Sequence, residues 1–255
     1  TGLLMSVMGL RIKPELFSFV LMTITVWTWF RIKSSSGKDY TLCYVFPIIM
    51  LLWANSHGGF IFGLIFLCAV TAGDIINRIT RSSEALDQKI QKHLFISVLL
   101  CAVSVLITPY GWAYPVQLLH DLFLHPDQFK QHIRFINEFN SIFAENSSDY
   151  HFIEGLVLSS GILVTLIVAS MRKRSPDWTL LLSNVLFAII YMKYMRSTYF
   201  WAVIFVFSSF YMLQRMSSSG TVFAPSRKAS YLVQILIAGI LVFLSIKAPY
   251  DAYCS

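Results

Sequence analysis

The chain has 255 residues, 56% of them apolar and 13% charged, with a mean hydropathy of +0.64 and a formal charge of +7. Soluble domains carry about 25% charged and about 45–50% apolar residues, so this composition excludes a water-soluble core, a disordered chain and a disulfide scaffold. The 20 Lys and Arg are scattered between apolar blocks instead of forming one basic face, which excludes a nucleic-acid partner and leaves membrane lipid as the surrounding medium.

An apolar run from Gly2 to Leu10 opens the chain and reads as part of a span, preceded by Thr1 where an initiator Met would stand. An N-terminal part is expected to precede it. No charged n-region is present, so no signal peptide is read. Eight further apolar segments follow, at 14–30, 40–54, 60–76, 93–108, 153–171, 180–192, 199–213 and 231–246. A bilayer core takes roughly 20 residues of helix, with about 17 as the lower limit, and several of these segments fall short of that. The predicted fold is all-α: a single transmembrane domain over residues 1–255, built as a polytopic helix bundle of about eight spans plus the partial first one. Cys43, Cys68 and Cys101 lie inside apolar blocks as small hydrophobes, and with Cys254 near the end no disulfide framework follows.

Cations near helix ends set orientation. With 31–39 on the cytoplasmic side, alternation places 77–92, 172–178 and 214–230 there too, and those four loops hold 13 of the 20 cations. The outer side then holds the turns 55–59 and 193–198 and the long loop 109–152. Within that loop Phe129, Ile133, Ile136 and Phe143 recur at helical spacing, which predicts a helix lying in the outer interface or packed over the bundle.

Seven cations run against the charge bias, and five of them, Arg11, Lys13, Lys193, Arg196 and Lys247, sit at helix ends within reach of a lipid phosphate or a bound phosphate ligand. Snorkelling to headgroups accounts for any one of them singly. Between two short spans lies Trp53-Ala54-Asn55-Ser56-His57-Gly58-Gly59-Phe60. Here Asn55 is suited to end one helix, Ser56 to cap the next, and the glycines to admit close approach. The helix that follows points its N-terminal N–H groups outward, a geometry that receives an anion. The segment 40–54 spans only about 22 Å at about 1.5 Å per residue, so the turn is expected below the headgroups, in an outward pocket lined by His57, Lys193 and Arg196. A tilted bundle with an ordinary tight turn is the alternative.

Arg11-Ile12-Lys13-Pro14-Glu15 places Pro at a helix start, where its missing N–H costs nothing, and Glu15 can neutralise one of the two cations there. Thr108-Pro109-Tyr110-Gly111-Trp112 reads as a rigid aromatic turn, an interfacial anchor in which Tyr110 can also stack on a sugar face. His120, Asp121, His125, Asp127 and His132 cluster without a recognised ligand spacing, so neither a metal nor another cofactor is predicted. Glu138 and Asp149 are candidate bases that nothing singles out, and the sequon Asn146-Ser147-Ser148 has meaning only in a eukaryotic source.

Four blocks in this order resemble the C-type glycosyltransferases, membrane enzymes that take sugars from polyprenyl-phosphate carriers. They are Arg11-x-Lys13-Pro14-Glu15-Leu16-Phe17-Ser18, Trp53-x-Asn55-x-His57-Gly58-Gly59, Pro109-Tyr110-Gly111, and Arg196 with Phe200 beyond it. The second block is moderately specific and the others are weak alone; between blocks only hydropathy matches. The family more often has Arg at the basic position before the proline and Asn before the proline-tyrosine pair, where this chain has Lys13 and Thr108.

The resemblance implies a sugar transferase of a bacterial inner membrane, with polyprenyl-phosphate-linked sugar and membrane lipids as partners. Its substrate site would be built from Arg11, Lys13, Asn55, His57, Tyr110, Lys193 and Arg196. The acidic residue such enzymes keep in their first outer loop would precede Thr1, so no catalytic residue is assigned. Three other readings stay open: a transporter or flippase of a lipid-linked or anionic substrate, which uses the same outer cations; an O-antigen polymerase or ligase, which also carries a large outer loop; and a non-enzymatic assembly subunit. A transporter usually carries internal repeats, and none is visible.

Overall fold

Inside a bilayer no water bonds to exposed N–H and C=O groups, so a segment that crosses it must satisfy its own backbone, and a single segment does so only as a helix. The computed structural model describes residues 14–35, 39–120, 176–194 and 197–218, and among these residues there is no strand. In chain order the elements are α1 (Pro14–Ser34), a 3-10 turn (Tyr40–Tyr44), α2 (Val45–Ala54), α3 (Phe60–Ile79), α4 (Gln88–Leu106), α5 (Ala113–Leu119), α6 (Trp178–Lys193) and α7 (Thr198–Ser218).

Six of the eight expected apolar segments are therefore helical. The segments 153–171 and 231–246, the run 2–10 and the expected interfacial helix of the outer loop lie outside the described residues. Leu16–Ser34, Phe60–Ile79 and Gln88–Leu106 are long and apolar enough to cross a membrane, at 19, 20 and 19 residues. At about 1.5 Å per residue each reaches close to the thickness of a hydrocarbon core. The protein is a helical membrane protein. Its helix ends differ from the hydropathy limits because local hydrogen bonds set them. Asp87 accepts the Lys89 N–H at 2.8 Å and so starts α4 five residues before the apolar run, with Lys89 and Lys92 already on the helix.

The segment 40–54 divides in two. Tyr40–Tyr44 winds as a 3-10 turn before α2 begins at Val45, and Pro47 falls in the first turn of α2, where a missing N–H leaves no bond unmade.

The described chain falls into two compact units. In the first, α1 packs on α2 and the 3-10 turn, and α2 packs on α4. Trp29, Phe46, Met50, Trp53, Leu94 and Cys101 are fully buried there. A Cβ on Gly63 would lie 2.6 Å from both Met50 Cε and Trp53 Cζ3, so only glycine lets α3 come this close to α2. Several buried polar groups of this unit bond within it. The carboxylate of buried Asp74 accepts the Leu86 N–H at 2.8 Å, and the Ser97 hydroxyl donates to the Cys43 carbonyl. Outward, Leu16, Phe17 and Trp27 on α1, Ile48 and Leu52 on α2, and Phe95, Leu99 and Val103 on α4 are each more than half exposed. The last three recur every fourth residue and form one stripe. Water would penalise such a surface at roughly 25 cal/mol per Å², whereas lipid does not.

The second unit holds the end of α3 with α6 and α7. Its organising residue is buried Asn77: Nδ2 donates to Asp177 Oδ1 at 3.1 Å, while Oδ1 accepts the Trp178 N–H at 3.0 Å. Asp177 in turn caps α6 by accepting from the Thr179 N–H at 3.1 Å and the Thr179 hydroxyl at 2.6 Å. Deeper in the pair, Asn184 Nδ2 on α6 donates to Ser208 Oγ on α7 at 2.9 Å, and the Tyr191 and Trp201 rings meet at 5.2 Å.

The C-terminal end of α3 closes through a paired bond: the Ser82 N–H reaches Asn77 O at 2.8 Å and the Arg81 N–H reaches Arg78 O at 3.1 Å. This closure needs a left-handed residue, and Arg81 occupies it with φ +52°. A non-glycine residue there costs roughly 1–2 kcal/mol. Arg81→Gly is expected to raise the thermal unfolding midpoint of the detergent-solubilised protein and Arg81→Val to lower it; circular dichroism on both variants checks this.

Candidate functional site

The turn between α2 and α3 is where the sequence concentrates chemistry. Asn55 follows α2, and its Nδ2 donates twice, to Leu51 O at 2.8 Å and to Ile107 O at 2.9 Å. The second bond reaches the residue after α4 and draws in the turn that begins at Thr108, which closes through Gly111 N–H to Thr108 O at 2.9 Å with Gly111 at φ +55°. From that turn Tyr110 and Trp112 project with 74% and 71% of their surface exposed. The Tyr110 ring lies 6.1 Å from Tyr114 on α5, and Tyr114 lies 5.8 Å from Phe60, the first residue of α3. Burial, with Tyr110 nearby, pushes the Tyr114 phenol up, so it stays neutral. Asn55, His57 and Tyr110 thus stand at one end of the first unit.

His57 itself is half-buried and tied into that end. Its Nδ1 lies 2.7 Å from the hydroxyl of Ser18, which is fully buried on α1, and receives the Gly59 N–H at 3.1 Å. Ser18 Oγ also accepts the indole N–H of Trp53 at 2.9 Å. A Cβ on Gly59 would run into Ser18 Oγ and would stand 3.0 Å from Ser18 Cβ and 3.1 Å from His57 Nδ1. Gly59 is therefore the place where α1 and the turn touch.

Two expectations for this turn are corrected. Ser56 does not face forward to cap α3; its hydroxyl donates back to Leu52 O at 2.6 Å, completing the helix it follows. The α3 start does not offer a full set of open amides either. Gly59 N–H is taken by His57 Nδ1, Phe60 N–H by His57 O at 3.4 Å and Phe62 N–H by Gly59 O at 3.1 Å. The tight glycine turn folds these donors inward, so side chains carry the polar character of this end.

Lys193 belongs to the second unit, as the exposed last residue of α6, with Nζ 5.3 Å from the ring of Tyr194. Arg11, Lys13 and Arg196 lie outside the described residues, as do Asp121, His125, Asp127, His132, Glu138 and Asp149. Sequence reasoning gave no role to Ser18 or to the Ile107 carbonyl. A lone hydroxyl in the apolar run Leu16–Leu21 was the available signal for Ser18; nothing marks a backbone carbonyl as a partner.

Comparison with family models, with curated proteins and with solved structures finds no match for this chain.

The contact at Gly59 has a measurable consequence. Gly59→Ala is expected to destabilise the protein by about 1–3 kcal/mol through overpacking. Ser18→Ala in the same chain removes the Oγ that clashes, so the double variant should be more stable than the sum of the single losses. Unfolding midpoints of the four proteins in one detergent decide it.

Proposed function

We propose that this protein is, or forms part of, a membrane glycosyltransferase-like enzyme of a bacterial inner membrane, transferring a sugar from a polyprenyl-phosphate carrier on the extracytoplasmic side. The observation that carries the proposal is the convergence of three sequence blocks at one end of the first unit. Ser18 from the first block bonds to His57 in the second, and Asn55 in the second bonds to Ile107, directly before the turn that holds Tyr110. A transferase of this class needs hydrogen-bond donors for a departing lipid phosphate and an aromatic face for a sugar, and this end presents residues of both kinds.

In this proposal His57 donates to a phosphate oxygen, and exposed Tyr110 stacks on the sugar. Asn55 holds the two turns in register beside them. The basic residues that the sequence resemblance assigns to the phosphate are Arg11, Lys13, Lys193 and Arg196. Transfer would be accelerated by stabilising the negative charge that gathers on the phosphate as the sugar leaves. The carrier enters laterally from the lipid.

Removal of one preorganised donor from such a site costs about 100-fold in rate or more. His57→Ala and Arg196→Ala in the purified full-length protein are therefore each expected to reduce transfer from a polyprenyl-phosphate sugar by at least that factor. Tyr110→Ala should chiefly raise KM. Unchanged rates in both the His57 and the Arg196 variants would falsify the assignment.

A further inference from the structure

The hydrogen bonds around His57 have a fixed direction, because groups that can only donate stand at both ends of the chain. An indole N–H has no acceptor capacity, so Ser18 Oγ accepts from Trp53 Nε1 at 2.9 Å. A backbone N–H has none either, so His57 Nδ1 accepts from Gly59 at 3.1 Å. The bond between Ser18 Oγ and His57 Nδ1, at 2.7 Å, joins the two ends. With Gly59 donating to it, Nδ1 carries no proton, so the serine hydroxyl is the donor in that bond and shares the single Nδ1 lone pair with the Gly59 N–H. A proton on Nδ1 would be aimed at the amide hydrogen of Gly59.

We propose that Ser18 is a positioning residue that holds His57 as the neutral tautomer with its proton on Nε2. His57 then acts as a hydrogen-bond donor through Nε2 to an oxygen acceptor, and under the function proposed above that acceptor is a phosphate oxygen. The choice of acceptor rests on that proposal, whereas the placement of the proton rests on Trp53, Ser18 and Gly59. A ring free to flip or change tautomer would present a lone pair to the phosphate for part of the time and repel it. Ser18 on α1 removes that freedom from 39 residues away in the chain. The buried position of Ser18, with none of its surface exposed, keeps water from competing for His57 Nδ1. Gly59 is required for the same reason, since any Cβ there would enter the space of the Ser18 hydroxyl.

The test is nitrogen-15 NMR of the full-length protein in lipid bilayers at neutral pH, with labelled histidine and with the His57 signals identified by their loss in His57→Gln. The expected spectrum has an unprotonated Nδ1 and a protonated Nε2. Ser18→Ala should mix in the other tautomer and slow sugar transfer by up to about tenfold, the loss of one hydrogen bond's net worth. Ser18→Thr, which keeps the hydroxyl, should restore both. Trp53→Phe serves if Ser18→Ala does not fold: it removes the donor that polarises Ser18 and should broaden or shift the same signals.

A His57 protonated on Nδ1, or on both nitrogens, in the wild-type protein would overturn the proposal, as would a tautomer unchanged by Ser18→Ala. The expected tautomer together with normal sugar transfer in His57→Ala would leave the role of Ser18 standing and overturn the function instead.

Discussion

The bond from the Ser18 hydroxyl to His57 is the contact on which one end of the first unit depends. It ties α1 to the turn between α2 and α3 where almost everything else is apolar, and a polar pair left unmade there costs its full desolvation. Gly59 exists to let the bond form, Trp53 supplies its second donor, and Asn55 repeats the device one step away by reaching Ile107. With those five residues fixed, the Asn55 bond to Ile107 holds the Thr108–Trp112 turn beside the turn between α2 and α3.

Elsewhere the same constraint takes other forms. Asp74 spends a carboxylate oxygen on the N–H of Leu86, and Asn77 matches its amide to Asp177 and Trp178. Buried Thr25 and Thr71 donate to carbonyls one turn back on their own helices. Each of these polar groups has at least one hydrogen-bond partner within its own unit. Hydrophobic burial does not distinguish the inner faces of these helices from lipid, so shape and hydrogen bonds choose the packing. Gly63 against Met50 and Trp53 is the shape term, and Asn184 against Ser208 a hydrogen-bond term.

Much of the architecture was legible beforehand. Apolar length located six helices. The errors were local and had local causes. Hydropathy placed the α4 start at residue 93 because it is blind to the Asp87 cap, and Ser56 looked like a forward cap because its bond back to Leu52 has the same residue type and the same neighbours. In the candidate site, Asn55, His57 and Tyr110 were recognisable from residue type and turn chemistry. Their shared location was not, since nothing in either motif says that the Asn55 amide meets the Ile107 carbonyl.

The division has a physical basis. Membrane partition and helix formation are sums over neighbouring residues, so composition and the approximate span positions follow from the sequence alone. The hydrogen bonds that organise each unit join residues 39, 52 and 100 positions apart, from Ser18 to His57, Asn55 to Ile107 and Asn77 to Asp177. No periodicity encodes such pairs, because each depends on two helix faces meeting at one depth. Only the tertiary structure decided them.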